Sequence, residues 1–378
     1  MAERVLVHIG LPKTATTYLQ TIMWGAVATM RAHGVLLPGR GRSDHLWTAR
    51  TVCEASSLET ANPRQRTAWE RVRAEIAAWP GDAIITHEFL AAASTEQAAR
   101  MVADLAPARV EVVITAREPI GLFTTSWQES LKNRGVRRLP DYPGPVSPNP
   151  SAIWNWRTLD LGLVLERWGE VVSADRVHIL PLPPRGAPRD LIWQRYATLV
   201  GLDPAAFDAT TGFANTSMGV AEAETLRRIN EHLVARGLLG TSLERGTIIR
   251  TLLADQHLVP RGGERYWPEP EQIEDCRRRG LKAIAMIEER GFDVIGDLAD
   301  LESPEHLEPR RTIGSVTDAE VVEIATDLVA QLAAEIRELR RELRAARLEL
   351  ERPPEPPAPT RTQRIRARLG RLLVWRRR

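Results

Sequence analysis

The sequence predicts an α/β protein with a central parallel sheet, followed by a C-terminal α-helical coiled coil. Three observations predict it. Short, nearly all-apolar runs recur before residue 190, as strands covered on both faces of a parallel sheet require. Segments with helical spacing separate them. From Thr317 onward, apolar residues alternate three and four apart on a charged background.

Residues 5–9, 83–86 and 110–115 form the three apolar runs, and 176–180 is a more polar fourth. Helical patterns occupy 17–32, 65–79 and 95–105 between them, and later 151–168, 189–200, 221–236 and 272–290. Residues 137–152 hold five prolines and read as a loop; PRGGERYWPEP at 260–270 reads as a second loop without regular structure. Thr317-x-x-Glu320 is a capping box. Val322, Ala325, Val329, Leu332, Ile336, Leu339, Leu343, Ala346 and Leu350 then give an unbroken heptad pattern. The plainer alternative is one amphipathic helix lying on the body; the strongly charged outer face favours the coiled coil.

The expected division is a body at 1–300, a coiled-coil helix at 318–351, a proline-rich linker at 352–359 and a basic amphipathic tail at 360–378. In the tail, Ile365, Leu369, Leu372 and Leu373 share a helical face among eight arginines. Such a stretch lies on an anionic membrane, grips an acidic partner, or is a disordered solubilising tail. The net charge of +2 therefore hides a basic tail on a mildly acidic body.

Composition is that of a globular chain, 43% apolar and 26% charged. Cys53 and Cys276 give neither a disulfide framework nor zinc spacing, and the eight histidines contain no H-x-x-x-H pair, so no metal is expected. No run reaches membrane-spanning length, and the first residues lack signal-peptide character. The expected location is the cytoplasm, at the inner membrane face if the tail binds there.

The first strand runs into HIGLPKTATTYLQ. A strand, a glycine-containing loop and a helix start expose backbone N–H groups and the positive end of a helix dipole, which together favour an anion. Lys13 adds a full charge; Thr14, Thr16 and Thr17 add hydroxyls. An ordinary βα turn is the plain alternative. The nucleotide P-loop pattern G-x-x-x-x-G-K-[ST] is not met, because Gly10 stands only three residues before Lys13 and no Walker-B aspartate follows a strand.

Pro12-Lys13-Thr14-Ala15-Thr16-Thr17, continued by Tyr18-Leu19, resembles the 5′-phosphosulfate loop of sulfotransferases that use 3′-phosphoadenosine 5′-phosphosulfate (PAPS). Ala15 stands where that family has glycine, which demands a backbone angle alanine can adopt. VVITAREPIGLFTTSWQ resembles the family's 3′-phosphate site, an arginine ending a strand with a serine eight residues on. Arg117 matches. Thr125 keeps the spacing and Ser126 the residue type; about 100° apart on a helix, only one faces the phosphate, and Thr125 is favoured. Arg117 salt-bridged to Glu118 is the plain alternative. ERWGEVVSADRVHILPL at 166–182 and ANTSMGVAEAETLRRIN at 214–230 extend the resemblance over residues 1–290.

The resemblance implies a P-loop-like three-layer fold and sulfuryl transfer from PAPS to a hydroxyl or amine of a carbohydrate, glycolipid or other small acceptor, without a metal. Residues 12–17 would hold the 5′-phosphosulfate and Lys13 would balance charge on the leaving oxygen. Strand carboxyl ends line the ligand crevice of such sheets, which makes Glu88 and His87 the candidate bases, Glu88 first. Otherwise His87 caps a helix and Glu88 serves its dipole. Residues 261–265 read as a basic flap or a solvated loop, and Trp154 and Trp156 as a cleft border or core. Two rival functions stand beside this one: a small-molecule kinase with an atypical loop, and a non-catalytic scaffold tethering a partner to a membrane. A homodimer through the coiled coil is expected, and no nucleic-acid partner.

Overall fold

The apolar runs become strands because every residue at their centres is removed from water: Val5, Leu6, Val7, Ala83, Ile84, Ile85, Val112, Val113 and Ile114 are all fully buried. In the computed structural model, which describes residues 1–149, 152–184, 186–210 and 217–351 together with Thr362 and Ile365, the chain divides into two units, Met1–Ile324 and Ala325–Arg378.

In the first unit the strands are β1 (Arg4–His8), β2 (Val35–Leu36), β3 (Asp82–Thr86), β4 (Arg109–Ala116), β5 (Val177–Pro181), β6 (Tyr266–Trp267), β7 (Asp293–Val294) and β8 (Arg311–Thr312). Six of them form one sheet in the order β2-β3-β1-β4-β5-β7. Every neighbouring pair in it is parallel. β1 is central, with His8 opposite Thr86 on one side and Val113 on the other. The chain leaves β1 toward β2 and leaves β4 toward β5. Adjacent connections diverging in this way open a crevice between the carboxyl ends of β1 and β4, where parallel sheets bind ligands.

Helices cover the sheet. Leu19, Ile22 and Met23 of helix Thr16–Gly25 pack with Trp193 and Tyr196 of helix Leu191–Val200 over Leu6, Ile84, Val113 and Leu180. Trp193 stacks on Tyr196 with centroids 6.3 Å apart and meets Phe207 edge-on at 5.1 Å.

Several expectations need correction. The helical pattern at 17–32 is broken at Ala26, whose φ of −130° separates helices Thr16–Gly25 and Val27–Ala32; Gly25, a poor helix former, precedes the break. The stretch 260–270 is not devoid of regular structure. Tyr266 and Trp267 pair in parallel with Arg311 and Thr312, and a helix begins at Pro270 behind a Glu269–Gln272 capping box, a position that suits proline. Residues 137–149 are a loop as expected, apart from a short 3₁₀ turn at Leu139–Asp141. β2, β7, helix Arg42–Val52 and a π-helical segment Arg245–Leu258 were not foreseen. The first two are only two residues long and carry no period.

Helix Asp318–Leu350 starts in the first unit, where Val321 and Ile324 are buried. It supplies the second unit's described helix from Ala325 onward. Along it Val329, Ile336, Leu339 and Leu343 are exposed. The linker expected at 352–359 and the tail expected at 360–378, except Thr362 and Ile365, lie outside the described residues. Among the described residues no helix is long and apolar enough to cross a membrane.

Truncating Trp193 to alanine is expected to cost about 3–5 kcal/mol, the range for a buried aromatic whose cavity cannot collapse. Urea unfolding of the full chain measures it. A loss below about 1 kcal/mol, the scale of a surface change, would contradict this packing.

Candidate functional site

Three neighbouring strands, β3, β1 and β4, end side by side, and each delivers one of the sequence-singled segments to the same edge. β1 runs into the Lys13 loop, β3 into His87-Glu88, and β4 into Arg117. Backbone bonds extend the alignment past the strands. His87 N–H donates to His8 O at 3.0 Å, Ile9 N–H to Val113 O at 3.0 Å, and Leu11 N–H to Thr115 O at 2.7 Å. The loops also touch: a Cβ on Gly10 would lie 2.8 Å from Glu88 Cβ, and Gly10 has φ +93°. Only glycine fits both the angle and the space.

Below this edge lies a buried polar chain. His8 Nδ1 is 2.9 Å from Thr86 Oγ1 and its Nε2 is 3.2 Å from Thr115 Oγ1. Thr115 Oγ1 is 2.7 Å from Thr14 Oγ1, which donates to Leu11 O at 2.5 Å. One proton arrangement satisfies all four groups. Thr86 donates to Nδ1, Nε2–H donates to Thr115, Thr115 donates to Thr14, and Thr14 donates to the carbonyl. It needs a neutral imidazole. Burial first, then the neighbouring His87, lowers the His8 pKa to about 3. His45 is similar: Thr86 N–H donates to its Nδ1 at 3.1 Å while Nε2 sits 2.8 Å from Pro38 O, and burial lowers its pKa to about 4.

The Thr14 hydroxyl is therefore turned inward. Lys13 and Ala15 on either side have φ of 66° and 63°. Ala15 does adopt the left-handed angle that its place in the loop demands. It is the N-cap of helix Thr16–Gly25, with no side-chain cap bond. Pro12 and Thr16 are buried, whereas Lys13 and Thr17 are exposed.

Lys13 Nζ lies 3.0 Å from Glu129 Oε2. Arg250, from the π-helical segment, pairs with the other oxygen of Glu129. Burial alone would raise the Glu129 pKa; Lys13 and Arg250 instead hold it down at about 2. Neither Glu129 nor Arg250 was singled out from the sequence. Glu129 stands four residues after Thr125, so helical spacing alone places it on the same face; Arg250 carries no such signal.

Arg117 Nε is 3.7 Å from Glu118 Oε1, and Glu118 caps helix Pro119–Lys132 by accepting from Gly121 N–H. The Arg117 guanidinium lies over Gly121, where a Cβ would come within 2.6 Å of it. Thr125, half-buried, donates to Gly121 O at 2.7 Å. Ser126 is fully buried: it donates to Phe123 O and accepts from Tyr142 OH at 3.0 Å. Arg117 thus shares a helix face with Thr125 and not with Ser126.

His87 is the N-cap of the 3₁₀ turn Glu88–Ala92, its Nδ1 accepting from Phe89 N–H at 3.2 Å. Glu88 Oε2 is 3.8 Å from that same nitrogen. Arg167 holds the turn from beneath, donating to Ala91 O and Ala93 O at 2.8 and 2.9 Å. Arg261 pairs with Glu222 at 3.5 Å, and the following residues pack on that carboxylate, since a Cβ on Gly263 would lie 2.1 Å from it. Trp156 is nearly buried against Phe123 and beneath the Arg279 guanidinium. With Leu11, Arg117, Asp160 and Arg279 it lines a small pocket of about 20 Å³. Trp154 is half-buried. Among the described residues no group of His, Cys, Asp or Glu is arranged to hold a metal.

Comparison of the chain with protein-family models, with curated proteins and with solved structures finds no match.

The two neutral histidines make stability acid-sensitive. Their pKa values are lowered on folding from 6.5, so the unfolded chain takes protons that the folded chain refuses. The stabilisation is complete above pH 6.5 and falls as pH drops toward 4, by up to about 1.4 kcal/mol per pH unit for each histidine. His178, raised because Glu111 and Asp293 outweigh its burial, acts in the opposite sense but is a single group. Urea unfolding from pH 7 to 4.5 is expected to show a steady loss. A flat profile would mean that His8 and His45 are not held neutral.

Proposed function

We propose that the crevice between β1 and β4 binds PAPS and that the chain transfers its sulfuryl group to a hydroxyl or amine of a small acceptor, such as a carbohydrate or glycolipid. One observation carries the reading. Arg117 lies over Gly121, Thr125 follows, and Glu129 carries Lys13 and Arg250. These positions recur every four residues on one helix face. From 121 to 129 the helix advances about 12 Å, a span suited to a nucleotide with a phosphate group toward each end.

The charges support an anionic ligand. Lys13 and Arg250 share one carboxylate, so the cluster keeps an unbalanced positive charge. In this reading the sulfated 5′-phosphate takes the place of Glu129 as the partner of Lys13, and Arg117 with Thr125 holds the 3′-phosphate. Lys13 then offsets the charge that grows on the phosphate oxygen as its bond to sulfur breaks. The acceptor oxygen forms the new bond to sulfur and gives up its proton.

Glu88 is the group that takes this proton. A neutral imidazole has one accepting nitrogen, and in His87 that nitrogen already accepts from Phe89 N–H. Burial lowers the His87 pKa, with Glu88 opposing, which keeps the ring neutral and its other nitrogen protonated. One observation favours a rival reading: Lys13 already has an ionic partner, as a purely structural cation in a non-catalytic scaffold would.

Thermal melting with 3′,5′-adenosine bisphosphate, the product nucleotide, separates these readings. It is expected to stabilise the chain by about 2.7 kcal/mol at a hundredfold excess over its dissociation constant. Lys13→Ala and Arg117→Ala should each weaken binding at least about tenfold, a loss of one charge-assisted contact. Glu88→Gln should keep binding and slow sulfuryl transfer roughly 10²–10⁴-fold. Preferential stabilisation by ATP with magnesium would replace the proposal by a kinase. Response to neither nucleotide would leave the scaffold.

A further inference from the structure

Helix Asp318–Leu350 presents an apolar stripe that water cannot favour: Val329 is 65% exposed and Leu339 63%. Ile336 and Leu343 lie between and beyond them on the same seam, also exposed. We propose that this stripe pairs with a second copy of the chain as a parallel, in-register, two-stranded coiled coil. The inference holds whatever ligand the sheet crevice takes.

The seam's composition sets the number of strands. With Val329, Ile336 and Leu343 at a positions, Leu332, Leu339 and Ala346 fall at d. Two of these three a positions are β-branched and two of the three d positions are leucine. β-Branched residues at a with leucine at d favour two strands over three or four.

The flanking charges set the direction. Glu335 and Glu342 occupy g positions; Arg340 and Arg347 occupy e positions. In a parallel pair, each g residue faces the e residue five positions on in the other helix. Glu335 then meets Arg340 of the partner subunit, and Glu342 meets Arg347 of the partner subunit. Symmetry repeats both contacts. An antiparallel pair would set g against g and e against e, acid on acid and arginine on arginine. Elsewhere on the helix, Glu338 at c and Arg341 at f pair with each other at 3.2 Å, on the side away from the seam. The charges that flank the seam match a second copy in one orientation only.

The full chain is expected to show twice its 42.3 kDa mass by light scattering across the micromolar range. Glu335→Arg with Glu342→Arg makes positions 335, 340, 342 and 347 all basic; Arg340→Glu with Arg347→Glu makes the same four all acidic. Each variant alone is expected to be monomeric, and an equimolar mixture to recover a heterodimer. Circular dichroism of each variant checks that the body stays folded. Leu332→Cys and Ala346→Cys, made separately, should both form disulfide-linked dimers under mild oxidation; an antiparallel pair could bring at most one of them to itself. A monomeric wild-type chain, a trimer or tetramer, variants that still self-associate, or cross-linking at only one of the two cysteines would overturn the proposal.

Discussion

The hydrogen-bonded chain Thr86–His8–Thr115–Thr14 is the constraint on which the candidate site rests. It ties β3, β1 and β4 together at their carboxyl ends and then reaches up to fix the loop after β1. All four groups are almost completely buried. A buried polar group left without a partner costs about 1–3 kcal/mol, so the four are bound to one another cooperatively. Moving a strand end by about 1 Å would take at least one of them beyond hydrogen-bond distance. The sheet alone would align the strands but would leave the loop undefined; Thr14 is where the sheet's rigidity passes into the loop.

That anchoring explains the loop's unusual backbone. Lys13 and Ala15 both lie in the left-handed region, which costs a residue with a side chain roughly 1–2 kcal/mol. The conformation persists because it turns Thr14 down into the buried chain and Lys13 up toward helix Pro119–Lys132. Without that turn Thr115 and the Leu11 carbonyl would lose the Thr14 hydroxyl, a cost that offsets the two strained angles. The strain therefore sits beside the residues it positions, a distribution common at functional sites.

Much of this was legible in the sequence because it depends on local chemistry. Apolar runs announce buried strands; a glycine, a lysine and three threonines at a strand end announce a tight strand-to-helix turn; Arg117 before Glu118-Pro119 announces the start of a helix. The rest depends on residues remote in sequence. His8 looks like a polar interruption in a strand until Thr86 and Thr115 lie on either side of it. Glu129 looks like an ordinary surface acid until Lys13, 116 residues earlier, reaches it. Spacing favours Thr125 over Ser126, but it does not show that Tyr142 fills the space beside Ser126. His87 and Glu88 are adjacent in sequence and in space, but only the bond from Phe89 N–H shows which nitrogen is occupied.

The placement of Glu129 bears on what kind of anion the proposed site would favour. Lys13 and Arg250 brought together without it would repel each other. Glu129 removes that repulsion, at the expense of competing with any ligand for the same ammonium. Binding is then an exchange, and its free energy is the difference between two ionic contacts and not the whole of one. A monoanion gains little from such an exchange. A ligand gains only if it brings further charge or contacts that Glu129 cannot reproduce: backbone N–H groups at the start of helix Thr16–Gly25, and a second anionic group for Arg117 at the other end of the same helix face. If the crevice takes the proposed nucleotide, a carboxylate inside the site would act as a filter, passing over single charges in favour of ligands that engage both ends at once.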